Sequence, residues 1–499
     1  MRIKLLLFKI LLFSFIISYG QDDILLKASN SIKIDELKEK LYKYSSDEFE
    51  GRGTPSKGQQ LAVQYLADHY KKLNIQSVKK DSYFQTVPLQ FEEKPEISLS
   101  ISDKTFEYYN DYISYSNGPD INYNSKEIIY LGFGIDDPNY SDYADKDVQG
   151  KVVVVSGGEP LNDNEEYFIN GTDKSKWSNS REEINLKKRV AKENGAIALI
   201  LVDEYLHRRN RYSFQYSDSG KGEKRMSLGN DDENNFQVLI FSEKHKDFLF
   251  GNDLKLSMNF KKNVERFTAD NVAAYIKGSE FPDEYVILTA HLDHVGIQNG
   301  EIYNGADDDG SGTVAMLEIA EAFALAKKEG YEPKRSIVFL HVTAEERGLL
   351  GSQYYTDYEP LVPIDKTIAN LNTDMIGRAD PNRGVKNLNY IYIIGSDILS
   401  DDLHKINIDA NNNFANLELD FRFNDINDPN QFYYRSDHYH FVKNNVPAIF
   451  YFSGVHEDYH QPTDTAEKIL YNIYSKRVKL IFHTAWGLAN RNERIKLNK

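Results

Sequence analysis

The chain has 499 residues, of which 40% are hydrophobic and 27% are charged, a composition that excludes a mainly disordered protein. It contains no cysteine, which excludes a disulfide scaffold, a thiolate zinc site and a cysteine nucleophile. The formal net charge is -16, and we expect no nucleic-acid binding because so acidic a chain repels a phosphate backbone.

Residues 1–20 predict a secretory signal peptide. Basic residues near the start are followed by an apolar run, and Ser18 and Gly20 are small residues suited to cleavage before Gln21. A lysine interrupts the apolar run and leaves it too short to span a membrane comfortably, although an N-terminal anchor is the alternative. We therefore expect a protein exported to the periplasm or the extracellular medium, without stable membrane insertion once the signal is removed.

The segment ahead of residue 263 divides into two parts with different patterns. Residues 21–95 contain two amphipathic patterns and then an extended stretch. Residues 96–262 combine β-branched runs with long polar loops and hold no dense cluster of metal-binding residues, so we interpret them as an inserted module with its own core. The predicted elements are helices over 35–44, 59–73 and 181–194, an extended segment over 84–97, and strands over 127–131, 151–155 and 196–202.

From about residue 267 the pattern becomes regular, and we assign residues 263–499 to the same domain as residues 21–95. Short apolar runs alternate with helical patterns, which is typical of an α/β sheet with parallel strands. The predicted strands cover 285–290, 336–343, 367–371, 390–394 and 448–452, and the predicted helix covers 313–328.

Acidic residues and histidines follow these strands at the points where the strands end. Because sites in open α/β sheets form at the carboxyl ends of the strands, five clusters that are distant in sequence can meet in one crevice. Carboxylates mixed with imidazoles suit zinc, and no thiolate is available. The clusters contain His291 and Asp293, Asp307 to Asp309, Glu345 and Glu346, Asp374, and His460.

The charges of these residues favour two metal ions. Asp307, Glu346 and Asp374 bring three negative charges and a hydroxide brings a fourth, which two divalent ions would balance. Successive side chains diverge at the end of a strand, so Glu345 cannot easily share the metal-facing direction of its neighbour. Glu345 is therefore available as a general base.

Two motifs of other enzyme classes also occur, and the sequence argues against both. Residues 456–460 match the H-E-x-x-H pattern of zincin proteases, but that motif needs a helix, and Gly454 and Pro462 disfavour one here. Residues 436–438 contain serine, aspartate and histidine, but adjacent side chains cannot form the relay of a serine triad.

The chain resembles the co-catalytic zinc aminopeptidases and their glutamate carboxypeptidase relatives, which form metallopeptidase family twenty-eight. The resemblance lies in five ordered motifs over about 267–499: TAHLDH, NGADDDGSG, AEERGLLGS, NTDMIGR and YHQPTDT. The loop EFEGRGTPSKG is similar to the family's N-terminal lead-in. The resemblance implies the zinc exopeptidase fold, an α/β fold in which helices flank a mixed, mostly parallel sheet.

The segment 96–262 is similar to a protease-associated domain, which members of this family often carry as an insertion. The similarity lies in three short stretches: EIIYLGFGI, DVQGKVVVVSGG and ENGAIALILV. It implies that the inserted module is a β-rich α+β domain.

The resemblance also implies a ligand set for two Zn²⁺ per chain. His291 and Asp374 would bind one ion, Glu346 and His460 would bind the other, and Asp307 would bridge them, with a cis peptide bond after the bridging aspartate.

Three further residues would take part in catalysis. Glu345 would be the base that takes a proton from the nucleophilic water. Asp293 would orient His291, and Tyr459 would donate a hydrogen bond to the oxyanion.

We therefore predict an exported hydrolase, a zinc metallopeptidase that acts on peptide substrates as an exopeptidase, and we favour an aminopeptidase. A carboxypeptidase on the same scaffold is one alternative, for which Arg378 and Arg435 could bind the substrate carboxylate. A single-zinc glutaminyl cyclase and a non-catalytic binding protein are the other two.

Overall fold

The computed structural model describes residues 23–115, 120–171, 174–178, 182–229, 236–384, 387–425 and 428–498. The predicted signal peptide lies outside the described residues. The chain forms two compact units, one from Met1–Val87 with Thr268–Lys499 and the other from Pro88–Phe267. We refer to them as the discontinuous unit and the inserted unit. Among the described residues, no helix combines the length and the apolar character that a membrane span requires.

Both boundaries between the units fall inside long strands, Phe84–Ile101 and Lys255–Ile276. Each strand continues through its boundary, so neither a loop nor a change of composition marks the boundary in the sequence. The division after Val87 and after Phe267 therefore differs from the predicted boundaries at 95/96 and 262/263.

The discontinuous unit is built on one mixed sheet. Its strands in chain order are β1 (Lys255–Ile276), β2 (Phe281–His291), β3 (Arg335–Val342), β4 (Thr367–Thr373), β5 (Tyr390–Ile394), β6 (Glu418–Asp420) and β7 (Ala448–Phe452). The order across the sheet is β6-β5-β7-β4-β2-β3-β1. The four central strands β7, β4, β2 and β3 run parallel, whereas β5 and β1 pair antiparallel with their inner neighbours. This confirms the predicted mixed, mostly parallel sheet.

Helices cover this sheet, and they include the three that the sequence predicts for this unit. Every residue of β3, β4 and β7 is buried, as expected for parallel strands with both faces covered. On one face, Phe323 packs against Phe482 and Trp486 with ring centroids 5.0 and 5.6 Å apart. The helices are α1 (Ile34–Tyr44), α2 (Lys57–Lys72), α3 (Gly312–Lys328), α4 (Leu350–Asp357), α5 (Asp401–Ala410), α6 (His438–Lys443) and α7 (Tyr471–Asn490).

The inserted unit has its own set of parallel strands and its own core. Four of its strands run parallel in the order Ile121–Tyr130, Val152–Ser156, Ala198–Val202 and Gln237–Phe241. Alternate residues of Val152–Ser156 enter two different apolar clusters, so both faces of the sheet are covered. Its helices include Glu183–Glu193 and Glu204–Asp218, the second of which the sequence did not predict. The identity of this unit as a protease-associated domain stays a prediction.

Candidate metal centre

The centre lies at the carboxyl ends of the central strands, because the chain turns sharply just beyond β3 and β4. Ala344 follows β3 with a φ of 55°, and Met375 follows β4 with a φ of 53°. Residues other than glycine rarely adopt this left-handed backbone conformation, which costs of order 1–3 kcal/mol per residue. These turns leave Asp374, Glu345 and Glu346 at the edge of the sheet instead of within it.

The first group of metal-ligand atoms comes from His291, Asp308 and Asp374, all buried. The Nε2 atom of His291 lies 3.2 Å from Asp308 Oδ1 and 3.6 Å from Asp374 Oδ1. The other ring nitrogen of His291 donates to the backbone carbonyl of Asp293 at 3.1 Å. With the proton on Nδ1, the Nε2 lone pair is directed at the two carboxylates, which is the tautomer that a metal ligand requires.

The second group comes from His294, Asp308, Glu346 and His460. His460 Nε2 lies 3.1 Å from Asp308 Oδ2 and 3.0 Å from Glu346 Oε2, yet the contacts lack hydrogen-bond geometry. Within the described part of the chain, His460 Nε2 and Asp308 Oδ2 are buried without a hydrogen-bond partner. Atoms that converge in this way, without bonding one another, fit the ligand set of a cation.

Asp308 belongs to both groups and directs one carboxylate oxygen at each. The donor set therefore fits two zinc ions bridged by one carboxylate. Burial lowers the pKa of His460, but the carboxylates of Asp308 and Glu346 raise this pKa by more than burial lowers it, to about 10. A metal ion bound there would have to displace that proton.

The prediction that Asp307 bridges the two ligand groups is wrong, because Asp308 belongs to both groups and Asp307 belongs to neither. Asp307 Oδ1 accepts a hydrogen bond from Gly377 N at 2.6 Å, and Asp307 Oδ2 accepts one from His456 Nε2 at 3.2 Å. Both oxygens are therefore occupied away from the ligand groups. The cis peptide bond likewise joins Asp308 and Asp309, one residue later than the resemblance implied.

The other predicted ligands, His291, Glu346, Asp374 and His460, all lie at the centre. His294 is an additional candidate ligand, with Nδ1 at 2.7 Å from Glu346 Oε1. The sequence left its role open, although its place at the end of the motif TAHLDH was a usable signal.

Glu345 lies beside the first group, with Oε2 at 3.9 Å from His291 Nε2 and a side chain that is 11% exposed. Burial raises the pKa of Glu345 well above its usual range, and the nearby carboxylate of Glu346 adds to this effect, while His291 opposes it. Two bound cations would favour the ionised form that a general base needs.

Asp293 contacts His291 through its backbone carbonyl, which accepts a hydrogen bond from His291 Nδ1. Its carboxylate instead accepts a hydrogen bond from the backbone N–H of Glu345 at 3.1 Å. Asp293 thus holds both a candidate ligand and the candidate base. Tyr459 stacks on the ring of His460 with centroids 3.9 Å apart, and its predicted role at the oxyanion stays a prediction.

Arg52 supports the centre, and sequence analysis did not identify it. It is fully buried, and its guanidinium donates to the carbonyls of Leu292 at 3.1 Å, Asn304 at 2.7 Å and Gly305 at 2.8 Å. It thereby ties the lead-in loop to the segment that carries Asp308.

Neither competing motif forms its expected site. Residues 457–460 form turns instead of a helix, so the H-E-x-x-H pattern lacks the geometry of a zincin. In the serine-containing run, Ser436 Oγ donates to Asp374 Oδ2 at 2.7 Å and so supports a candidate ligand.

A cavity adjoins the two ligand groups and also has an apolar wall. Glu345, Glu346 and Tyr459 line it together with the ligands of the first group. Its remaining lining residues are Met375, Phe432, Arg435, Phe450, Phe452 and Val455.

Residues 271–485 match the model of Peptidase family M28. A probable leucine aminopeptidase 2 of Aspergillus oryzae is 34% identical over 195 residues, which cover 38% of this chain and 34% of that protein. Leucine aminopeptidase 2 of Trichophyton equinum is 31% identical over 232 residues, which cover 46% and 40%. A probable glutamate carboxypeptidase, AMP1 of Arabidopsis thaliana, is 37% identical over 119 residues, covering 24% and 16%.

The matches thus span less than half of the length of these curated relatives. Among solved structures, the aminopeptidase from Aneurinibacillus sp. strain AM-1 aligns with a TM-score of 0.48 at 20% identity, over 93% of this chain and 96% of that one.

Proposed function

We propose that this protein, whose residues 271–485 match the model of Peptidase family M28, is an exported exopeptidase that uses two Zn²⁺ per chain to hydrolyse peptide bonds. We further propose that it acts from the amino end of its substrates. The observation that carries the proposal is the convergence of two ligand groups on one shared carboxylate, that of Asp308, with Glu345 beside them.

Zinc ions held by these groups would polarise the scissile carbonyl and make water a stronger nucleophile at neutral pH. Glu345 accepts a proton from the attacking water and passes it to the leaving amine. The carboxylate of Asp293 accepts a hydrogen bond from the backbone N–H of Glu345 and so keeps Glu345 in place. Tyr459, which lines the same cavity, donates a hydrogen bond to the developing oxyanion.

The acidic character of the cavity supports attack at the amino end. A free amine next to Glu345, a cavity carboxylate outside both ligand groups, gains charge-assisted hydrogen bonds that an acetamide cannot form. Such bonds contribute roughly 1.5–3 kcal/mol each, or about ten- to a hundredfold in discrimination. Two of the relatives above carry the name leucine aminopeptidase.

A carboxypeptidase is the second candidate, and Arg435 in the cavity lining favours it. The other arginine considered from the sequence, Arg378, is buried and donates to Asp458 Oδ2 at 3.0 Å. Its charge is therefore already compensated.

The test combines metal analysis with a substrate panel on protein exported from cells. We expect two zinc ions per chain after dialysis against metal-free buffer, hydrolysis of leucyl-anilide, and failure of its N-acetyl form. Release of the last residue from an N-blocked peptide, without action on leucyl-anilide, would establish the carboxypeptidase instead. Full activity with one zinc ion would contradict the two-metal proposal, whereas one zinc ion per chain without hydrolysis of any substrate in the panel would favour the cyclase.

Export is tested on the same material by N-terminal sequencing. We expect the exported chain to begin at or near Gln21, and an intact Met1 would contradict cleavage.

A further inference from the structure

We propose that Arg435 determines substrate specificity by binding a carboxylate of the substrate next to the scissile bond. The inference deepens the proposed peptidase function and rests on it. The carboxylate could belong to an acidic side chain of the residue removed, or to the free carboxyl terminus of a very short peptide, and the experiment below distinguishes the two sources.

The first argument is that Arg435 has no acidic partner. Within the described part of the chain it forms no ion pair with Asp or Glu, and its guanidinium carbon lies over the ring of Phe432, 5.0 Å from the centroid. Most of the other described arginines near the centre are compensated. Arg378 pairs with Asp458, and Arg52 is surrounded by backbone carbonyls.

The second argument concerns the charge of the cavity. The carboxylates of Asp308, Glu345, Glu346 and Asp374 line it, and two divalent ions would balance these four charges. Arg435 carries the only guanidinium or ammonium group among the described lining residues, so its charge would remain without a counter-charge. A substrate carboxylate would supply that counter-charge through a charge-assisted, bidentate interaction.

The third argument is that the backbone holds Arg435 in a fixed position relative to the metal ligands. Its N–H donates to the carbonyl of Phe432 at 3.0 Å, which closes a short 3₁₀ turn. The next residue, Ser436, donates to Asp374 Oδ2 at 2.7 Å and accepts from Asn372 Nδ2 at 2.8 Å. An arginine whose backbone is hydrogen-bonded and whose guanidinium lies on an aromatic ring loses less conformational entropy when it binds a ligand.

The apolar lining of the cavity also suits an acidic side chain of the substrate. Met375, Phe450, Phe452 and Val455 line the cavity together with Arg435. A glutamate side chain has an aliphatic stem that such a wall can contact and a carboxylate that a guanidinium can bind.

The experiment compares substrates in two matched pairs that differ only in one carboxylate. Glutamyl-anilide is paired with glutaminyl-anilide, and the dipeptide Leu-Gly is paired with its amide. We expect the wild-type protein to prefer the carboxylate member of one pair, which identifies the source. Arg435→Gln should lower that preference, measured as the ratio of kcat/KM values, by about ten- to a hundredfold. Arg435→Lys should retain part of it, because the charge remains but the planar fork is lost.

Arg422→Gln is the matched control, since it removes one positive charge from an exposed arginine that pairs with Asp420 outside the cavity lining. Its preference should equal that of the wild type, and zinc content and melting temperature should be the same in all variants. If Arg435→Gln leaves both ratios unchanged in active, zinc-loaded protein, the inference is wrong. If zinc-loaded wild-type protein hydrolyses none of the four substrates nor leucyl-anilide, the proposed function itself fails.

Discussion

Three consecutive aspartates in one loop have three different sets of partners. Asp307 bonds to Gly377 and His456, and Asp308 is directed at both ligand groups. Asp309 Oδ2 accepts from the backbone N–H of His291 at 3.1 Å. Asp307 and Asp309 are thus held by partners that are distant in sequence, and Asp308 is the aspartate that faces both ligand groups. Substitutions can test this assignment.

Asp308→Asn should abolish the two-metal site, whereas Asp307→Asn should keep it. An amide at 308 offers one oxygen instead of two, so it cannot bridge. An amide at 307 can accept only one of the two hydrogen bonds from Gly377 and His456, which should cost about 1–3 kcal/mol of stability. Zinc analysis and melting temperature measure the two effects. Equal zinc loss in both variants would contradict the assignment of Asp308.

Glu345→Gln should keep both metals and the fold but lose most turnover. The amide preserves the shape of the side chain and removes only its ability to accept a proton. Loss of a general base typically costs on the order of 10²- to 10⁴-fold in kcat. Steady-state kinetics on leucyl-anilide with parallel zinc analysis would measure it, and activity within threefold of the wild type would exclude Glu345 as the base.

At the scale of elements, the loop between β2 and α3 depends on a contact from an arginine more than 200 residues earlier in the chain. Arg52, in the loop between α1 and α2, donates to two backbone carbonyls of the loop that follows β2, those of Leu292 and Gly305. The loop carries Asp308 between β2 and α3, so Arg52 joins three elements at the centre. Only a planar group with several separated donors can reach all of these carbonyls.

Arg52→Lys should therefore destabilise the protein and loosen metal binding. Lysine has a single donor atom and cannot keep all the hydrogen bonds that the guanidinium forms with Leu292, Asn304 and Gly305, so we expect the free energy of unfolding to fall by about 2–4 kcal/mol. Urea denaturation and zinc retention during dialysis measure these changes. Arg422→Lys is the control, because an exposed substitution should stay within about 0.5 kcal/mol. Similar values for the two variants would exclude the supporting role of Arg52.

Strands were the most predictable elements, because a parallel strand covered on both faces is a continuous apolar run. The predicted bounds of β5 and β7 agree with Tyr390–Ile394 and Ala448–Phe452 to the residue. The helix α7, Tyr471–Asn490, was not predicted, because it is buried on most sides and lacks a clear polar face. Its buried residues even include Arg477, which donates to backbone carbonyls.

Much of the candidate site was predictable from the sequence. The rule that sites form at the carboxyl ends of strands predicted that the clusters meet, and the family resemblance named four residues that lie in the two ligand groups. The register within the run of aspartates was not predictable, because it depends on Asp464 and on contacts across more than a hundred residues. Asp464 Oδ2 accepts from the N–H groups of Asp307 and Asp308 at 2.9 and 3.1 Å, across 157 and 156 residues. The spacing of neighbouring residues in the sequence does not predict such long-range contacts.

At the scale of the whole molecule, the groups that could hold metal are confined to one unit. Among the described residues, each such group lies in the discontinuous unit, and the inserted unit has a separate apolar core. Metal binding should therefore stabilise the two units unequally, since a ligand stabilises the folded form that binds it.

Hydrogen exchange with and without zinc should reveal this difference. At a free zinc concentration about a thousand times the dissociation constant, one bound ion slows exchange through unfolding by up to about a thousandfold. We expect this slowing for peptides that cover β2 and β4 in the discontinuous unit, and little change for the strand Ala198–Val202 in the inserted unit. The Asp308→Asn variant is the control, because zinc should protect neither unit once the shared ligand is lost. Equal slowing in both units of the wild-type protein would mean that they unfold as one, and the confinement of the zinc effect would be refuted.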